Sequence, residues 1–65
     1  MKESDKLARR LEREIEKQEK LLAQLDLQIQ EAAADYQELA RLMELKESEE
    51  AILMDLMEQW ETALS

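Results

Sequence analysis

Three groups of side chains in this sequence have chemistry to offer: crowded carboxylates, a run of cations near the start, and two lone aromatics, Tyr36 and Trp60. The carboxylates Glu12, Glu16 and Glu19, and again Glu47, Glu50 and Glu58, have the types needed for acid–base work or for holding a cation. Such groups act only when burial and convergent partners perturb their pKa or fix an ion. Their spacing instead follows the surface of a helix, which predicts a solvated face. Histidine and cysteine are absent. Zinc ligation by Cys and His, thiol or imidazole catalysis and the Glu-x-x-His pattern of di-iron bundles are therefore excluded. Glycine is absent too, and with it the phosphate-cradling loops of nucleotide enzymes. The sequence points to no enzyme, no metal and no cofactor.

The cations Lys6, Arg9, Arg10, Arg13 and Lys17 are the candidates for a phosphate contact, with Lys20 next in line. They are interleaved with Asp5, Glu12, Glu14, Glu16 and Glu19, and no aromatic lies among them for a base to stack on. Residues 1–20 carry a net charge of +1 and residues 21–65 a net charge of −9, for a total of −8. The whole chain is thus repelled by nucleic acid and anionic lipid. Nucleic acid stays an alternative partner, disfavoured by this charge, and the favoured partner is a protein or a second copy. No apolar run reaches the ~20 residues a membrane span needs, so a cytoplasmic location and no membrane partner are expected.

The elements that position these groups are helices. Ala, Glu, Lys, Leu and Arg fill 42 of the 65 positions, and neither Gly nor Pro interrupts them. Apolar residues step by three and four through Ala8, Leu11, Ile15, Gln18, Leu22, Leu25, Ile29 and Ala32, a coiled-coil seam with one polar exception. That frame fails at Lys46 and Glu50. A different one, Leu39, Leu42, Leu45, Glu49, Ile52, Leu56, Trp60 and Ala63, serves the second half better. The seam changes phase near residues 32–36, where Asp35-Tyr36-Gln37-Glu38 has the form of a capping box. Ser4 or Asp5 is the matching cap for the first helix.

These signals predict an all-α, antiparallel two-helix coiled-coil hairpin: helix 5–31, corner 32–35, helix 36–64. One continuous helix in a dimer is the competing arrangement. Folding back also sets the cation-rich start against the acid-rich end, with Arg13 near Asp55, Lys17 near Glu50 and Lys20 near Glu47. The expected interface comprises Leu11, Ile15, Leu22, Leu25, Ile29, Tyr36, Leu39, Leu42, Ile52, Leu56 and Trp60. Trp60 is expected opposite the Lys6–Arg10 turn. Leu21, Leu27, Met43, Leu45, Leu53, Met54 and Met57 widen the apolar stripe beyond one seam. A stripe that wide faces more than one neighbour, so dimerisation into a four-helix arrangement, or docking on another protein, is expected.

Leu11-Glu12-Arg13-Glu14-Ile15-Glu16, the Leu22, Leu25, Ile29 repeat, Ala34-Asp35-Tyr36-Gln37-Glu38-Leu39-Ala40-Arg41-Leu42 and Met57-Glu58-Gln59-Trp60-Glu61 together resemble the C-terminal coiled-coil extension of ABC-F-type ATP-binding cassette proteins. The resemblance covers nearly the whole chain and implies the same hairpin fold. It further implies a piece of a longer cytoplasmic ATPase linked to translation and the ribosome, whose extension in some members is tied to nucleic acid. No Walker motif is present, so none of that family's ATPase residues carries over. The basic linker and the corner proline common in the family are missing as well. A stand-alone dimeric coiled-coil scaffold is the reading that needs no such parent.

Overall fold

The computed structural model describes residues 3–65, and side chains from residue 5 onward. It contains two helices, α1 (Glu3–Glu31) and α2 (Tyr36–Leu64), of 29 residues each. They fold back on one another as an antiparallel hairpin about 51 Å long and 14 by 10 Å across. The first helix starts at Glu3, so Asp5 lies inside its first turn and is not its cap; the Ser4 side chain falls outside the described ones.

The reversal is made by backbone hydrogen bonds and one side chain. Ala32 N–H still donates to Gln28 O at 2.9 Å, and Asp35 N–H donates back to Ala32 O at 2.9 Å, closing a tight turn over the three alanines. Asp35 then adopts an extended conformation (φ −112°, ψ 98°), its carboxylate accepting the Glu38 N–H at 3.2 Å while Leu39 N–H donates to its carbonyl at 2.8 Å. This is an N-cap: it satisfies a donor that the first turn of a helix leaves without a partner. Only half of the capping box forms. The Asp35 N–H is already taken by Ala32, so the Glu38 carboxylate turns outward to Arg41.

The core is one seam wide. Ala8, Leu11, Leu25 and Leu42 are buried, and Ile15, Gln18, Leu22, Ile29 and Ala32 complete the α1 stripe as half-buried neighbours. On α2 the covered positions are Leu39, Leu42, Lys46, Glu49, Leu53, Leu56, Trp60 and Ala63, an unbroken alternation of three and four, with Glu38 half-buried beside the first. Leu45 and Ile52 therefore lie one position off the seam, and Ile52 is 47% exposed. A helix rotates by a fixed angle per residue, so the stripe passes through Lys46 and Leu53 even though a more apolar neighbour precedes each one. Tyr36, also expected in the interface, opens α2 on its outer edge and is 84% exposed.

Candidate interaction face

A polar layer sets the register of the hairpin. The Gln18 side-chain amide donates to Glu49 O at 2.9 Å and to Glu49 Oε2 at 2.5 Å across the middle of the seam. Counting by threes and fours from that contact places Ile15 level with Leu53, Leu11 with Leu56, Ala8 with Trp60, Leu25 with Leu42 and Ile29 with Leu39. The smallest seam residue thus faces the largest.

Two polar side chains of the seam reach to the same flank. The Lys46 ammonium pairs with Asp26 Oδ1 at 2.6 Å, and the Trp60 indole N–H donates to Glu12 Oε1 at 3.2 Å. The Asp26 carboxylate, by hydrogen bond and charge, holds the Lys46 ammonium above the usual lysine range. Asp26 and Glu12 belong to a row on α1, Asp5, Glu12, Glu19 and Asp26, at seven-residue spacing. The α2 edge beside it carries Glu50 among Met43, Met57 and Leu64. A shallow groove between the helices, lined by Asp26, Ile29, Met43, Lys46, Glu47 and Glu50, marks this acidic face.

The opposite face is of another character. Leu7, Glu14, Leu21 and Gln28 run along its α1 side, and Glu38, Leu45, Ile52 and Gln59 along its α2 side. Grooves at the two ends join the rows: one is lined by Leu7 together with Gln59, the other by Gln28 together with Glu38. In this register Leu21 and Leu45 are nearly level, 38% and 39% exposed, with Ile52 about two turns along α2 and Leu7 about four turns along α1. Within the two rows only Glu14 and Glu38 are charged, with Asp55 and Glu58 lining one end groove and Glu31 and Asp35 the other; the Glu38 carboxylate is held by Arg41, whose hydrogen bond keeps it below the usual carboxylate range.

The cations form a stripe of their own. Lys6, Arg10, Arg13, Lys17 and Lys20 recur at steps of four and three on the side of α1 turned away from α2, with Arg9 alongside, and all are exposed. Among the described residues the side-chain ion pairs are Lys46–Asp26 and Arg41–Glu38. Arg13, Lys17 and Lys20 thus share a level along the hairpin with the acids of α2 but face away from them, and the expected pairings with Asp55, Glu50 and Glu47 are not made. Glu14 and Glu16 border the stripe and share a surface depression with Arg10, Arg13, Lys17 and Lys20.

Trp60 sits in the seam half-buried, level with Ala8 in the Lys6–Arg10 turn by the register count, and its indole N–H reaches one turn on to Glu12. Leu22, Leu39 and Leu56 are half-buried and Leu11, Leu25 and Leu42 buried. Lys46, read as a frame failure, and Leu53, passed over for Ile52, are the seam residues that sequence reasoning missed, while Glu49 lies where the second frame put it; an uninterrupted heptad count from Leu42 finds all three. Among the described residues no group of three or more acidic side chains is placed to hold a metal ion, and no helix is long and apolar enough to cross a membrane. No family model, curated protein or solved structure matches the chain, and nothing in those comparisons links it to an ATP-binding cassette protein.

Proposed function

We propose that the chain is a non-catalytic coiled-coil interaction module, a hairpin that works by docking its leucine face. The observation that supports this is the contrast between the two flanks of the seam. One sets its exposed Met43, Met57 and Leu64 beside a full row of acids, Asp5, Glu12, Glu19 and Asp26, and the polar contacts of Lys46 and Trp60, whereas the other leaves Leu7, Leu21, Leu45 and Ile52 more than a third exposed in rows that hold only Glu14 and Glu38 as charges. Scattered apolar residues on a surface are ordinary, but an aligned set on a small protein marks a contact site. A parent of the ABC-F type, cytoplasmic and acting at the ribosome, is the setting that the sequence resemblance suggests for such a module.

The cation stripe of α1 favours a second reading, a nucleic-acid-binding arm using Lys6, Arg9, Arg10, Arg13 and Lys17. Against it stand the bordering Glu14 and Glu16 and the total charge of −8. Titration of a fluorescent single-stranded RNA with the chain at about 50 and about 200 mM salt separates the two readings. The module reading expects no RNA binding at either salt. Binding that weakens steeply with salt and disappears in Arg10→Gln/Arg13→Gln/Lys17→Gln, while Leu21→Gln/Leu45→Gln leaves it unchanged, would replace the module by the arm.

A further inference from the structure

We infer that a second copy of this chain covers the leucine face, with both corners at the same end, so that α1 of each copy lies antiparallel along α2 of the other. The inference rests on the docking role proposed above and names its occupant.

Area is the first ground. The hairpin exposes 5358 Å², whereas a compact monomer of 7.7 kDa exposes about 4300 Å². The excess of roughly 1000 Å² is close to the ~800 Å² that each partner contributes to a stable interface of standard size. One long face against another of the same length is the contact that removes it.

Charge is the second ground, and it fixes both the face and the direction. Two copies joined by their acidic faces would bring Asp5, Glu12, Glu19, Asp26 and Glu50 of each against the same residues of the other. The rows of the leucine face bring only Glu14 and Glu38, the latter held by Arg41, and its other acids, Glu31, Asp35, Asp55 and Glu58, lie in the grooves at the two ends. With corners together, residues 6–20 of one α1, rich in cations, run beside residues 47–61 of the other α2, where Glu47, Glu49, Glu50, Asp55, Glu58 and Glu61 lie. Arg10 then comes nearly level with Asp55 of the second copy, on the rim of the contact. With corners opposed, contact through the same face sets α1 against α1 and α2 against α2, so Lys17 and Lys20 lie near the same stretch of the other α1 and the acids Glu47, Glu49 and Glu50 lie near their own copies. Complementary rims of this kind select orientation more than they add affinity.

The third ground is the match of apolar positions. Leu21 and Leu45 are nearly level within one hairpin, so a two-fold axis along the hairpin carries each onto the other's counterpart, a self-complementary patch of the kind two-fold dimers use.

Two measurements on the full chain test this. Sedimentation equilibrium over about 10 to 500 μM is expected to give twice the 7.7 kDa chain mass, and Leu21→Glu/Leu45→Glu is expected to raise the dimer dissociation constant at least about 100-fold with helical circular dichroism retained. Leu21→Ala/Leu45→Ala, which introduces no charge, should weaken the dimer by about tenfold. The chain lacks cysteine, so Ala34→Cys places a single spin label at each corner. Corners together give an inter-label distance of about 25 Å, from helix spacings of 8–10 Å plus the label arms; opposed corners give one near the 51 Å length of the molecule. A monomer at all concentrations, a dimer indifferent to both double variants, or the long distance would each overturn the inference. A monomer overturns the second copy alone, whereas salt-sensitive RNA binding overturns the docking role on which it rests.

Discussion

At the scale of single residues, the hairpin depends on a few side chains set between apolar and polar surroundings. Trp60 is the largest of them, with its ring in the seam level with Ala8 and its N–H on Glu12. A fully buried Trp reduced to Ala costs about 3–5 kcal/mol; half-burial brings the expected cost of Trp60→Ala to about 2–3 kcal/mol, with Ala8 too small to close the gap. Trp60→Phe keeps most of the ring and loses the hydrogen bond to Glu12, for a cost of about 1 kcal/mol or less. Urea unfolding followed by circular dichroism measures both. A Trp60→Ala chain as stable as the parent would place the ring outside the seam. Asp35 is the other decisive residue: its carboxylate and its extended backbone turn three alanines, which left to their propensity would continue a helix, into a corner.

At the scale of the elements, the two helices differ in how plainly their sequences state their contacts. The α1 stripe was legible because every seam position but Gln18 is apolar and the positions around it are largely charged or small. In α2 apolar residues stand on both sides of the line: Leu45 precedes Lys46, and Ile52 precedes Leu53. A reading that follows hydrophobicity drifts onto the flank there, whereas one that follows the rotation per residue stays on the seam. The corner was legible in Asp35, but the outward turn of Glu38 depends on a backbone bond from Asp35 to Ala32 that no sequence pattern announces. The polar layer was half legible, since Gln18 and Glu49 each appeared as an exception in its own helix, and only the register shows that they meet. Such a layer trades stability for alignment. Gln18→Leu/Glu49→Leu is therefore expected to stabilise the hairpin by about 1–3 kcal/mol, while Gln18→Leu alone, which strips Glu49 of its partner, costs about 1–3 kcal/mol. Thermal melts of the parent, the single and the double variant check the order; a double variant less stable than the parent would show that the layer is a net contributor.

At the scale of the whole molecule, the hairpin has two unlike flanks on one narrow seam. Among the described residues four side chains are buried, a small core, and small domains with so little interior commonly gain stability by association. In the proposed dimer like-charge repulsion disfavours contact through the acidic flank, and the leucine flank offers the contact. The central claim, that Leu7, Leu21, Leu45 and Ile52 form a docking face in use, is tested most directly by methyl NMR of the full chain with a soluble paramagnetic probe. Protection of the Leu21, Leu45 and Ile52 methyls, with strong broadening at Met54 and Leu64 on the remaining surface, is the expected result. Broadening of Leu21, Leu45 and Ile52 to the same degree as Met54 and Leu64 would contradict it and leave the hairpin a solitary coiled coil.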